Sequence, residues 1–149
     1  MALLKAREAV MKNFIPHLRA HDLSPQQWRV LRALYETDAM EMTELSKQCF
    51  LLMPSLSRIV QNLNARELVE RQPLEKDRRR SVISLTDSGK ALVELMAPES
   101  EARYAKITET FGYGKLELLY ELLDELVVKL AEANRKPSSQ VPLRSAEHR

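Results

Sequence analysis

Pro54-Ser55-Leu56-Ser57-Arg58-Ile59-Val60-Gln61-Asn62-Leu63, then Leu68-Val69-Glu70-Arg71, Glu75-Lys76-Asp77-Arg78-Arg79-Arg80 and Val82-Ile83-Ser84-Leu85, is the stretch that decides the fold. Leu56, Ile59, Val60 and Leu63 recur at i, i+3, i+4 and i+7, so the first segment is a helix with an apolar face for a core. Its opposite face carries Ser55, Ser57, Arg58, Gln61 and Asn62. These side chains suit a DNA major groove: Arg grips guanine O6 and N7, and Asn and Gln bridge adenine N6 and N7. Two short strands follow, joined by a hydrophilic turn with Lys76, Arg78, Arg79 and Arg80 at its tip. Arginines on a projecting loop suit phosphates and the negative potential of a narrow minor groove. Asp77 is acidic and is assigned to the loop itself, bonding turn amides or pairing with a neighbouring arginine to stiffen it. Ile83 and Leu85 share one side of their strand and anchor it to the core.

Upstream, Thr43 is read as the cap of a short helix, Glu44 to Gln48. The pair 43–49 and 54–65 then has the layout of a helix-turn-helix. Ser24-Pro25 supplies an N-cap with proline at the first helical position, opening a helix to about Glu36 with Trp28, Leu31, Leu34 and Tyr35 on one stripe. Leu3, Ala6, Val10, Phe14 and Leu18 mark a helix over 3–20, which Pro16 is expected to kink or end. Thr86-Asp87 caps a helix that is expected to bend or break near Pro98 and to stop before Gly112 and Gly114. Residues 115–134 form a last helix, with Leu116, Leu119, Leu122, Leu123, Leu126, Val127 and Leu130 on a stripe too apolar for solvent. A second copy of the chain or the helix at 3–20 would cover it. Residues 135–149 have the composition of a disordered tail. The expected fold is mainly α with a small β-hairpin wing.

The chain has 149 residues, is 44% hydrophobic and 30% charged, and carries a net charge of +2. That charge is uneven. Residues 43–86 hold eight Lys/Arg against five Asp/Glu, residues 87–134 five against ten, and residues 135–149 four against one. The DNA-facing candidate is therefore the basic part and the helices after it are acidic. No apolar run approaches the roughly 20 residues of a membrane span, and the start Met1-Ala2-Leu3-Leu4-Lys5 lacks a signal-peptide apolar region. A single cysteine, Cys49, fits a reducing compartment, so a cytoplasmic protein is expected. The three histidines, His17, His21 and His148, have no zinc spacing with Cys49, and no serine sits in a nucleophile-elbow context. An enzyme, a metal site and a cofactor are not expected.

Asp77-Arg78-Arg79-Arg80-Ser81-Val82-Ile83-Ser84-Leu85-Thr86 resembles the wing signature of MarR-family transcriptional regulators: Asp, x, Arg, three residues, an aliphatic, x, Leu, Thr. The resemblance continues through Leu45, Ser57, Leu63, Leu68-Val69 and Thr86-Asp87-Ser88-Gly89-Lys90-Ala91-Leu92, and covers residue 3 to about 134. Ala2-Leu3-Leu4-Lys5-Ala6-Arg7-Glu8-Ala9 and His21-Asp22-Leu23-Ser24-Pro25-Gln26-Gln27-Trp28-Arg29 are similar to the branch containing regulators of homoprotocatechuate (4-hydroxyphenylacetate) degradation operons.

The resemblance implies a winged helix-turn-helix lobe over 23–86 and a helical dimerisation region from 1–22 and 87–134. It implies a homodimer on a pseudo-palindromic double-stranded operator, with recognition helices in major grooves and wings in minor grooves. It also implies repression of an aromatic-acid catabolic operon, released by a small aromatic carboxylate bound between the dimer helices and the DNA-binding lobe. The candidate effector residues are Arg7, Phe14, His17, His21, Trp28, Arg29 and Arg66. An arginine would pair with the carboxylate, Trp28 and Phe14 would stack on its ring, and His21 would bond a phenol. One departure is Glu67, where the family usually has glycine. A left-handed helix end there costs a non-glycine residue roughly 1 kcal/mol, or the helix ends otherwise. Some relatives sense peroxide with a cysteine in the first helix; 3–20 has none, and Cys49 is read as a small buried hydrophobe. The competing reading is a helical dimeric protein-interaction module that has lost operator binding.

Overall fold

The structure is a computed structural model and describes residues 1–135; Arg135, expected to open the tail, is instead the last residue of a helix, and the rest of the expected tail, 136–149, lies outside the described residues. The elements run α1 (Ala2–Arg19), α2 (Pro25–Thr37), β1 (Ala39–Glu41), α3 (Met42–Cys49), α4 (Met53–Ala65), β2 (Val69–Pro73), β3 (Ser81–Leu85), α5 (Asp87–Phe111) and α6 (Tyr113–Arg135). The chain divides into two compact units, Met1–Ala105 and Lys106–Arg149. The first therefore takes in α1 and the N-terminal part of α5 along with residues 23–86.

The core of the first unit is built from the stripes legible in the sequence. Leu31, Leu34, Leu45, Leu56, Leu63, Ile83 and Met96 are all fully buried. A complete capping box starts α2: the Gln27 amide donates to Ser24 Oγ at 3.1 Å, and the Ser24 amide donates to Gln27 Oε1 at 2.9 Å. Helix α3 ends on Phe50 in the left-handed conformation, with the Leu51 amide donating to the Ser46 carbonyl at 3.0 Å. Three residues then separate α3 from α4.

The three strands form an antiparallel sheet in the order β1-β3-β2, with Met40 opposite Ile83 and Val69 opposite Leu85. The central strand β3 buries Ser81, Ile83 and Leu85, while β2 buries only Val69 and leaves the rest of its length exposed. The hairpin is therefore rooted in the core through alternate residues of β3, and its far end projects into solvent.

Several local expectations are corrected. Pro16 and Pro98 neither end nor interrupt their helices; α1 runs on to Arg19 and α5 to Phe111. Each proline removes one backbone donor, and the surrounding turns hold the helix together. Thr43 is not a cap, since α3 begins one residue earlier with Glu41 at its N-cap. Gly112, at φ 106°, does end α5, but Gly114 lies inside α6. The strand β1 was not anticipated; three residues are too few for an alternation to register. Leu3 and Val10 on α1 are exposed, at 61% and 38%. Helix α6 buries none of its residues, and Leu122, Leu126, Val127 and Leu130 stand open in the single chain.

Candidate nucleic-acid interface and adjoining pocket

The outer face of α4 presents Ser55, Ser57, Arg58 and Gln61 to solvent, because Leu56, Val60 and Leu63 are committed to the core on the other side. Asn62 is exposed as well, but its Oδ1 accepts from Gln27 Nε2 at 2.9 Å, so half of its amide is engaged with the start of α2. Ser57 on α4 and Arg79 on the wing line one cleft of about 120 Å³, together with Glu41, Arg71 and Arg80. Recognition helix and wing thus meet at a common edge rather than forming two separate features.

Within the wing, Asp77 Oδ1 accepts from the Arg79 amide at 3.0 Å, and the Asp77 carbonyl accepts from the Arg80 amide at 3.0 Å. The Leu74 amide closes the loop on the Arg80 carbonyl at 2.9 Å. The four cationic side chains are not equivalent. Lys76, Arg78 and Arg79 are exposed around the tip. Arg80 turns back to β1, where its Nε and Nη2 donate to Glu41 at 3.2 and 2.5 Å. This fork-on-carboxylate pair raises the Arg80 pKa and directs the guanidinium toward the wing root. Sequence reasoning had no access to this partner, 39 residues away.

A second feature that the sequence did not flag is apolar. Phe50 and Leu52, in the α3–α4 turn beside the recognition helix, are 87% and 78% exposed.

Above the α2 end of the lobe lies a pocket of about 280 Å³ between α1, α2 and α5. Phe14, Trp28 and Arg29 line it, along with Val10, Met11, Arg32, Ser100, Glu101 and Tyr104. The rings of Phe14 and Tyr104 sit 4.6 Å apart at 47°, and the Arg32 guanidinium lies 5.8 Å from the Trp28 ring centroid. Ser100 is 2% exposed, and its Oγ has no hydrogen-bond partner. A buried hydroxyl without a partner costs free energy. Arg32 stands one turn beyond Trp28, and Tyr104 one turn beyond Ser100. Those spacings were the available signal for residues that the sequence reading left out.

Four of the expected effector residues are not among those lining this pocket. Arg7 pairs with Glu8 at 2.9 Å on the surface. Arg66 is a strut, donating to the Asp22 and His21 carbonyls at 2.8 and 3.2 Å and so tying the end of α4 to the α1–α2 link. His17 is buried, with Nδ1 3.0 Å from Glu99 Oε2 and its ring edge-on to His21 at 5.6 Å. Cys49 is fully buried and its thiol pKa is raised by desolvation. Among the described residues no cluster of His, Cys, Asp and Glu could hold a metal ion, and no helix is long and apolar enough to cross a membrane.

A helix-turn-helix whose recognition helix abuts an arginine-tipped hairpin is the architecture of winged-helix regulators. The chain belongs to the MarR family, whose model matches residues 21–80. Over 126 residues it is 38% identical to the HTH-type transcriptional regulator FarR of Neisseria gonorrhoeae, covering 85% of this chain and 86% of that one. It is 37% identical to the homoprotocatechuate degradative operon repressor of Escherichia coli, over the same shares of the two chains. The crystal structure of NadR in complex with 4-hydroxyphenylacetate superposes with a TM-score of 0.77 at 37% identity, covering 89% of this chain and 96% of that one. The chain is thus a MarR-family transcriptional regulator with a winged-helix fold.

Proposed function

We propose that this protein is a homodimeric repressor of an aromatic-acid catabolic operon, and that an aromatic carboxylate in the α1–α2–α5 pocket releases it from its operator. The observation that carries the DNA half is the shared edge of recognition helix and wing, with Ser57 and Arg79 on one cleft. From that edge α4 enters a major groove, while Lys76, Arg78 and Arg79 reach phosphates and the adjoining minor groove. Arg80 acts chiefly as the wing's anchor to Glu41. Dimerisation through α1 and α6 covers Leu3, Leu122, Leu126 and Leu130, and two copies then present two recognition helices to a pseudo-palindromic site.

The pocket's chemistry supports the effector half. Three aromatic rings enclose a flat apolar ligand, and Arg29 and Arg32 outweigh Glu101 in charge. The unpartnered Ser100 hydroxyl offers a hydrogen bond. The homoprotocatechuate repressor and the NadR complex support this class of ligand by likeness.

A gel shift with the DNA fragment upstream of the gene, with and without 4-hydroxyphenylacetate, tests the reading. Retardation of that fragment that weakens as the acid is added is expected. Retardation unaffected by aromatic carboxylates removes the effector half, and no retardation removes the whole.

A further inference from the structure

Arg29 stands at two places at once. It forms part of the wall of the pocket, and its Nη1 donates to the carbonyl of Cys49 at 2.8 Å. Cys49 is the last residue of α3, so this carbonyl belongs to the group that a helix cannot satisfy internally. In the same turn, Ser46 and Lys47 carbonyls are taken by the Leu51 and Phe50 amides, and the Leu51 carbonyl by Ser46 Oγ. The Cys49 carbonyl is supplied from another helix, by Arg29. The contact is reciprocal, with Cys49 Sγ 3.8 Å from the Arg29 carbonyl. Directly beyond lie Phe50, Leu51 and Leu52, and then the recognition helix.

We propose that Arg29 is the positioning residue that couples the pocket to the recognition helix: an anionic ligand in the pocket competes with the Cys49 carbonyl for the Arg29 guanidinium. This rests on the effector reading above. The bond to the Cys49 carbonyl is a single N–H to a neutral acceptor, whereas a carboxylate brings a full negative charge and accepts from two N–H groups of the fork at once, so it draws the guanidinium away when present. The Cys49 carbonyl at the end of α3 then loses the donor that reaches it from α2, and the turn leading into α4 loosens. An uncharged aromatic of the same shape fills the pocket without drawing Arg29, and leaves the turn closed.

Cys49 reports on this turn directly, because it is the chain's single cysteine and is fully buried. Its reaction with a thiol reagent, 5,5′-dithiobis(2-nitrobenzoate), measures how often the turn opens. With 4-hydroxyphenylacetate bound, as verified by calorimetry, labelling of the wild type is expected to accelerate about tenfold, the scale of one lost charge-assisted bond. The neutral 4-hydroxyphenylacetamide should leave it unchanged. In Arg29→Met, which keeps the stem but not the donors, labelling is expected to be fast with or without the acid. The ratio of operator affinities without and with the acid should also fall to about one. Wild-type labelling that slows or stays constant under saturating acid overturns the relay while leaving the effector reading intact. So does an Arg29→Met protein whose operator affinity still responds to bound acid. Absence of any binding heat overturns the effector reading, and the relay with it. The wild-type measurement stands even where Arg29→Met does not fold.

Discussion

The hydroxyl of Thr86 donates to the backbone carbonyl of Glu67 at 2.6 Å. Glu67 is held at φ 57°, the left-handed conformation for which glycine is usual, and the Leu68 amide turns back to the Leu63 carbonyl at 3.0 Å. The same Thr86 Oγ accepts from the Gly89 amide at 3.0 Å, so one side chain joins the exit of the recognition helix to the start of α5. Space here is tight: a Cβ on Gly89 would sit 2.1 Å from the Leu68 carbonyl oxygen. The expected cost at Glu67 is therefore incurred, since the helix ends left-handed on a residue that carries a Cβ.

Glu67→Gly is accordingly expected to stabilise the fold by about 0.5–1 kcal/mol, because a left-handed residue loses its Cβ clash. Thr86→Val keeps the shape, removes both bonds and should destabilise by about 1–3 kcal/mol. Chemical denaturation of the two variants checks both signs. An unstable Glu67→Gly protein would mean that the Glu67 side chain contributes more than its backbone strain costs.

Arg79 and Arg80 are adjacent but should behave differently. Arg79→Ala is expected to weaken operator binding, to lower the salt slope by about one, and to leave thermal stability unchanged. Arg80→Ala breaks the link to Glu41 and is expected to loosen the wing. Glu41→Ala should then reproduce much of its loss of operator affinity, although Glu41 is anionic and a poor direct contact for DNA. Anisotropy titrations of the three variants against salt decide this. Improved binding in Glu41→Ala would mean that Arg80 is a DNA contact held back by the pair.

These contrasts also mark what was legible in the sequence. The N-cap at Ser24 with Pro25 after it, the apolar stripe of α4 and the arginine-tipped hairpin are local patterns, and local patterns can be read from spacing. The roles of Arg66, Asn62 and Arg80 were not legible, because their partners Asp22, Gln27 and Glu41 are 44, 35 and 39 residues away. The pocket was half legible for the same reason. Trp28 and Phe14 announced aromatic walls, but Ser100 and Tyr104 join them only once α5 packs against α1 and α2. Pro16 and Pro98 do not end their helices, because tertiary packing overrides a local breaker.

Ser100→Ala separates binding from stability. Its buried hydroxyl has no partner, so removal should leave thermal stability unchanged or raise it by up to about 1 kcal/mol. Affinity for 4-hydroxyphenylacetate should fall by about three- to tenfold if the hydroxyl serves the ligand. Calorimetry beside thermal melts gives both numbers. Unchanged affinity would place the ligand elsewhere in the pocket.

Acid stability offers an independent check on the cluster around Glu99 of α5. The Glu99 pKa is lowered, first by its hydrogen bond from Arg103 and then by the charges of His17, Arg103 and His21. A carboxylate with a depressed folded pKa stabilises above its unfolded value, about 4.5, and that contribution is lost as pH falls through the folded value. Wild type should therefore lose stability below about pH 4.5 more steeply than Glu99→Gln. Parallel melts from pH 6 to pH 3 are the test, and identical slopes would contradict it.

The central claim is that α4 and the wing form one operator-binding surface. The most direct measurement is fluorescence anisotropy of wild-type protein with the fragment upstream of its gene and with a shuffled fragment of equal composition, over a salt series. The account predicts that the natural fragment binds at least about a thousandfold more tightly than the shuffled one, and that both affinities fall steeply as salt rises. Equal, weak binding to the two fragments, or binding indifferent to salt, would contradict it.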